Sequence, residues 1–229
     1  MPSEHFVITL DGPAGAGKST VAKSLAGRLG ITYLDTGAMY RVVALSALRR
    51  GISLDEPLKL EQLAAASEIE LAPAGRVLLN GEDVSEAIRE PAISQAASKV
   101  SAVPGVRQAM VVLQRRMGET HSVVMEGRDI GSVVFPQAQV KVFLDADPAE
   151  RSARRLAELR QKGFEADPTE VAREMRERDQ RDRTRAEAPL LQAPDAIYLD
   201  STGRTPDQVE DSLLRIVRER TSNGKEVDR

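Results

Sequence analysis

The sequence predicts an α/β fold: a parallel β-sheet flanked by helices, with one inserted subdomain. Three observations predict it. Short β-branched apolar runs alternate with helical periodicities, the pattern of parallel strands joined by crossover helices. A glycine-rich turn lies between the first such run and the first helix. The alternation breaks over residues 56–97, where the pattern suits a small separate element.

Residues 6–10 (FVITL) form the first strand candidate and stop at the turn signal Asp11-Gly12-Pro13. From Lys18 the period becomes helical, with Val21, Leu25 and Leu29 on one face and Gly30 placed as a C-cap. Residues 31–34 read as a second strand and 38–49 as a helix ended by Gly51. The insert holds a helix at 58–66 and two short runs, 69–71 and 77–79, the second closed by Asn80-Gly81. They read as an antiparallel pair. Helical pattern resumes through 111–117. Residues 122–125 and 140–144 are buried-strand candidates, and a helix begins at Pro148. Residues 165–193 are rich in Arg, Asp and Glu. A last strand at 197–199, a last helix at 206–220 and a polar, disordered tail from 221 complete the chain.

Composition narrows the function. A net charge of −3 argues against a dedicated nucleic-acid binder. With no cysteine, disulfides, thiolate metal sites and cysteine nucleophiles are excluded. Apolar stretches fall far short of the roughly 18 residues a membrane span needs. The polar first residues lack the pattern of a signal peptide, so a cytoplasmic location is expected. Aromatics make up 3% of the chain and tryptophan is absent, so Val, Leu, Ile and Ala must fill the core.

Residues 12–19, GPAGAGKS, fit G-x-x-x-x-G-K-[ST] between a strand and a helix, the context that the phosphate-binding loop requires. The backbone amides of Gly12, Pro13, Ala14, Gly15, Ala16 and Gly17 (proline lacking one) wrap round phosphate oxygens. The helix N-terminus favours the anion. Lys18 bridges the transferred phosphoryl group and its neighbour, Ser19 offers a hydroxyl to Mg²⁺, and Thr20 adds a bond to an ATP phosphate. This names the cosubstrate, ATP, but not the acceptor. No Asn-Lys-x-Asp segment reads guanine, and the chain is short for a motor.

Three further segments follow core strands or the charged run. Asp35-Thr36-Gly37-Ala38-Met39-Tyr40-Arg41 puts a carboxylate, a hydroxyl and an arginine at a strand's C-terminal edge, where open parallel sheets bind ligands. The same residues suit a helix cap with a solvated arginine, and alone they do not decide. Glu126-Gly127-Arg128-Asp129 suits a ligand-facing pair or a structural ion pair. Arg178, Arg181, Asp182 and Arg185 share a helical face. That face reads as a lid carrying mobile cations for phosphoryl transfer, or as a solvated helix with Glu174–Arg178 and Glu177–Arg181 pairs.

Taken together, DGPAGAGKST at 11–20, LDTGAMYR at 34–41, LNGEDVSEAIR at 79–89, EGRDIGSVVFP at 126–136 and RDQRDRTRAEAPL at 178–190 resemble the bacterial cytidylate kinase family over nearly the whole chain. The resemblance implies a P-loop NTPase core at 1–55 and 98–220, a helical lid near 165–190, and a monophosphate-binding subdomain at 56–97. It implies ATP-dependent phosphorylation of CMP and dCMP, with Mg²⁺ and as a monomer. The alternatives are a UMP or shikimate-type kinase and a nucleotide-dependent regulator. By resemblance, Thr36 and Arg41 contact the monophosphate and nucleoside. Ser98, Arg107 and Asp129 read the cytosine edge, and Arg128 contacts phosphate. Arg178 and Asp182 contact the ribose and lid region, and Arg185 the phosphates. Lys18, Arg128, Arg178 and Arg185 are the implied catalytic cations. Thr36 stands where some members have serine, which also supplies a hydroxyl. Hydrogen bonds must select the base, since aromatic rings are so few. An Asp–Arg pair complements cytosine's amino donor and ring acceptors.

Overall fold

A computed structural model describes residues 5–72 and 75–222. The expectations for the first four residues and for the tail beyond 222 lie outside the described residues. The chain divides into two compact units: 1–33, 120–184 and 188–229 form the first, and 34–119 with 185–187 the second.

The sheet has the order β2-β6-β1-β7-β8, and all of it but the last two residues of β2 lies in the first unit. The strands are β1 (Val7–Asp11), β2 (Thr32–Asp35), β6 (Val123–Gly127), β7 (Val140–Asp145) and β8 (Ile197–Asp200). β1 pairs in parallel with β6 and β7, and β7 with β8. All five residues of β1 and of β6 are buried. This is why those segments are mostly apolar, as a two-faced parallel sheet demands, with Thr9, Asp11 and Glu126 as buried polar exceptions. Helix α1 (Lys18–Leu29) and helix α8 (Pro206–Ser222) contribute to one core with the strands, through Val21, Leu25, Leu213, Ile8, Leu10, Val124 and Leu144. Helices α6 (Pro148–Gln161) and α7 (Pro168–Thr184) share a small core of Leu159, Val171 and Met175. A π-helical turn, Ile130–Val134, follows β6 and was not expected from the sequence.

The second unit is built from α2 (Thr36–Arg49), α3 (Pro57–Ala66), the antiparallel strands β3 (Ile69–Ala72), β4 (Arg76–Leu79) and β5 (Glu82–Asp83), α4 (Pro91–Val100) and α5 (Pro104–Glu119). It is larger than the segment 56–97, because Met39, Val42 and Val43 of α2 and Val106 and Met110 of α5 belong to the same core as Leu60, Val77 and Ile93. Asn80 and Gly81 both adopt positive φ, 50° and 84°, the two-residue turn joining β4 to β5. The structure adds α4 and β5 to the sequence reading. Among the described residues no helix is long and apolar enough to cross a membrane.

Candidate active site

The first unit carries the loop after β1. Gly12 has φ 145°, and a Cβ there would lie 1.9 Å from the Leu144 carbonyl oxygen, so no other residue fits between β1 and β7. Lys18, the first residue of α1, is buried, and its Nζ donates to the Pro13 carbonyl at 2.7 Å. Ser19 and Thr20 are exposed on the first helical turn. Gly12 to Gly17 thus form the loop, and Lys18 to Thr20 the first turn of α1, at the C-terminal edge of the sheet.

Arg128 lies just past β6 at the same edge. Its Nε donates to Asp182 Oδ2 at 2.9 Å and its Nη1 to the Gly127 carbonyl at 3.2 Å. Asp182, from α7, is therefore a carboxylate partner of Arg128, where the sequence had left open a pairing with neighbouring Asp129. Burial opposes the Arg128 charge, but Asp182, Glu126 and Asp179 together more than offset this and hold its pKa above the ordinary value. Burial, then the charge of Arg128, pushes the Lys18 ammonium down to about 7, with Arg178 adding to the effect and Glu126 and Asp11 opposing it. The charges of Arg128 and Arg178 thus both act on Lys18. Such a cluster is stabilised by a multiply charged anion.

Asp129 and Asp182 are both buried. Asp11, at the end of β1, accepts from the amides of Ile130 at 2.8 Å and Gly131 at 2.7 Å. It thereby fixes the backbone immediately after Arg128 and Asp129. Burial pushes its carboxyl up to about 6, and Asp129 adds to the rise against the two amides and Lys18. Sequence reasoning gave Asp11 only a turn role. Its signal was a carboxylate ending a mostly apolar, β-branched strand. The Tyr33 hydroxyl donates to Glu126, the penultimate residue of β6.

The second unit carries Thr36, Arg41, Ser98, Arg107 and Arg185. Asp35 caps α2 by accepting from the Ala38 amide at 3.2 Å, and it also holds Arg41 Nη2 at 2.5 Å. Asp35 thus both caps α2 and pairs with Arg41. Thr36 and Ser98 are buried. Arg107, also buried, donates to the Ser101 carbonyl at 3.1 Å, and its guanidinium lies 5.6 Å over the Tyr40 ring. That cation–π contact orients a buried arginine. Arg185 falls just beyond the end of α7, so it does not share a continuous helical face with Arg178 and Asp182 as the spacing had suggested.

Strand order, loop and cation cluster together define a P-loop kinase. Solved structures share the fold: a gluconokinase from Sinorhizobium meliloti 1021 superposes with TM-score 0.51 at 11% identity, covering 96% of this chain and 94% of that one. An uncharacterized protein from Eubacterium ventriosum ATCC 27560 gives TM-score 0.54 at 13% identity, covering 94% and 99%. The family profile for cytidylate kinase matches residues 8–219, and the chain belongs to that family. It is 59% identical over 228 residues to a cytidylate kinase of Solibacter usitatus (strain Ellin6076), covering 97% of each chain. It is 50% identical over 217 residues to a cytidylate kinase of Symbiobacterium thermophilum (strain DSM 24528 / JCM 14929 / IAM 14863 / T), covering 93% of this chain and 96% of that one.

Proposed function

We infer that the chain transfers the γ-phosphoryl group of ATP to CMP, giving ADP and CDP, with dCMP as a second acceptor. The observation that carries this is the buried Lys18, on which the charges of Arg128 and Arg178 act, in the segment of residues 12–20. An acceptor phosphate is already ionised near neutral pH, so the chain need not supply a strong base. Positioning and charge neutralisation carry the catalysis.

The loop amides and Lys18 hold the β- and γ-phosphates. Arg128, aligned by Asp182, and Arg178 meet charge that spreads over the transferring group, with Arg185 as a further cation. Thr36 and Arg41 take the acceptor phosphate and nucleoside. Ser98, Arg107 and Asp129 each contact the cytosine edge. These residue roles rest on the family resemblance and on the burial and hydrogen bonding described above. Uracil would place a carbonyl where Asp129 requires a donor, leaving a buried acceptor unpaired at a cost of roughly 1–3 kcal/mol.

Among the described residues no group of three or more His, Asp or Glu could hold a metal. Mg²⁺ would arrive with ATP, bound by its phosphates, water and the exposed Ser19 hydroxyl. When bound, Mg²⁺ neutralises phosphate charge. Coupled ADP release with CMP, UMP, AMP and shikimate tests the reading. CMP should be turned over most efficiently by kcat/KM, and a preference for another acceptor would overturn it.

A further inference from the structure

A phosphate loop works by turning amides inward. In a trans peptide each inward N–H requires the preceding carbonyl to point away. Two such carbonyls are tethered here. The Ala16 carbonyl accepts from Ser201 Oγ at 3.1 Å. The Ala14 carbonyl accepts from Arg151 Nη1, also at 3.1 Å.

The Arg151 tether is charged and buried. The side chain is 3% exposed, and its Nε donates to the Ala146 carbonyl at 3.0 Å, just past β7. Its Nη2 donates to Asp179 Oδ2 at 2.6 Å. Asp179 lies on α7 next to Arg178. One guanidinium therefore joins the phosphate loop, the end of β7 and the helix that carries Arg178. The fit has no slack: a Cβ on Gly15 would lie 2.8 Å from the Arg151 carbonyl oxygen and 3.0 Å from Met175 Cε. A buried ion pair is a weak source of stability compared with apolar packing. Its fixed, forked geometry is better suited to orienting its partners.

We propose that Arg151 is a positioning residue for phosphoryl transfer. It fixes the Ala14–Gly15 peptide with its N–H toward the ATP phosphates, and through Asp179 it sets the rotation of α7 and hence the placement of Arg178. Arg151 itself touches no substrate. The proposal rests on the loop being the ATP site.

The two arms are separable. Arg151→Met removes both. Arg151→Lys keeps a charge but cannot span Ala14 and Asp179 with one planar fork. Asp179→Asn leaves the Ala14 arm in place. The measurements are ATP Kd by calorimetry, kcat, KM for CMP, the Gly15 amide resonance of the ligand-free protein, and thermal midpoint. Arg151→Met should weaken ATP binding about tenfold and shift the Gly15 amide. Asp179→Asn should keep ATP Kd near wild type while lowering kcat about tenfold. If Arg151→Met does not fold, Arg151→Lys serves in its place, with weakened ATP binding expected. Unchanged ATP affinity and Gly15 resonance in a folded Arg151 variant would overturn the proposal, whatever the thermal midpoint does. So would equal effects of the Arg151 and Asp179 variants on ATP Kd. A wild type that failed to bind ATP would instead sink the assignment of the loop.

Discussion

Asp129 is buried at the start of a backbone segment that Asp11 pins by two amide hydrogen bonds, so its carboxylate has a rigid base. Asp129→Ala should lower kcat/KM for CMP at least about tenfold, because the cytosine amino group loses a charged acceptor. UMP turnover should change much less, so the CMP/UMP preference narrows. Equal losses for both nucleotides would mean that Asp129 serves only the phosphate end. Asp182 is already a carboxylate partner of Arg128, which makes orientation of Arg128 a weaker account of Asp129. Asp11 gives a pH prediction. Its folded-state pKa, about 6, lies above the ordinary 3.8. The folded state therefore favours the protonated form. The stability this contributes is full below pH 3.8 and is lost as pH rises through 6, a swing of about 3 kcal/mol. Denaturant unfolding of wild type and Asp11→Asn at pH 4 and pH 7 should show the wild type losing ground to the variant at the higher pH. A pH-independent difference would contradict the burial of this carboxylate as described.

At the scale of elements, the segment 56–97 and the helix α7 are the parts we assign to substrate closure. Saturating CMP should slow amide hydrogen exchange in 56–97 and in 178–185, while ATP alone should protect mainly 12–20. Unchanged exchange in 56–97 with CMP would make that segment a structural or partner-binding appendage. Much of this was legible in the chain. The phosphate loop was legible because its glycines, its lysine and its strand–helix context occur in one contiguous stretch. The buried strands were legible as continuous β-branched runs. Helix α4 was missed although Ile93, Ala96, Ala97 and Val100 recur at helical spacing and are buried, because the helix is only ten residues long and half of that stripe is alanine. β5 is two residues long, below any periodicity. The π-helical turn depends on the distant carboxylate of Asp11, which no local pattern encodes. Arg151 looks in sequence like Arg154, Arg155 and Arg160 on the same helix. Only tertiary burial separates it from them.

The whole molecule combines a sheet that presents the phosphate loop, Arg128 and Asp129 at its C-terminal edge with a second unit that carries Thr36, Arg41, Ser98 and Arg107. Family membership gives the reaction, and the buried Lys18, with the charges of Arg128 and Arg178 acting on it, gives it a physical basis. Lys18 should be indispensable, since removing one preorganised contact to developing charge typically costs about 10²–10³ in kcat. The most direct measurement follows the phosphoryl group itself. ATP labelled at the γ-phosphate is incubated with CMP and either wild type or Lys18→Ala, with circular dichroism confirming that the variant is folded. The account predicts label at the β-position of CDP at a rate that falls at least about a hundredfold in the variant. Label released as inorganic phosphate without CDP, or undiminished CDP labelling by Lys18→Ala, would contradict it.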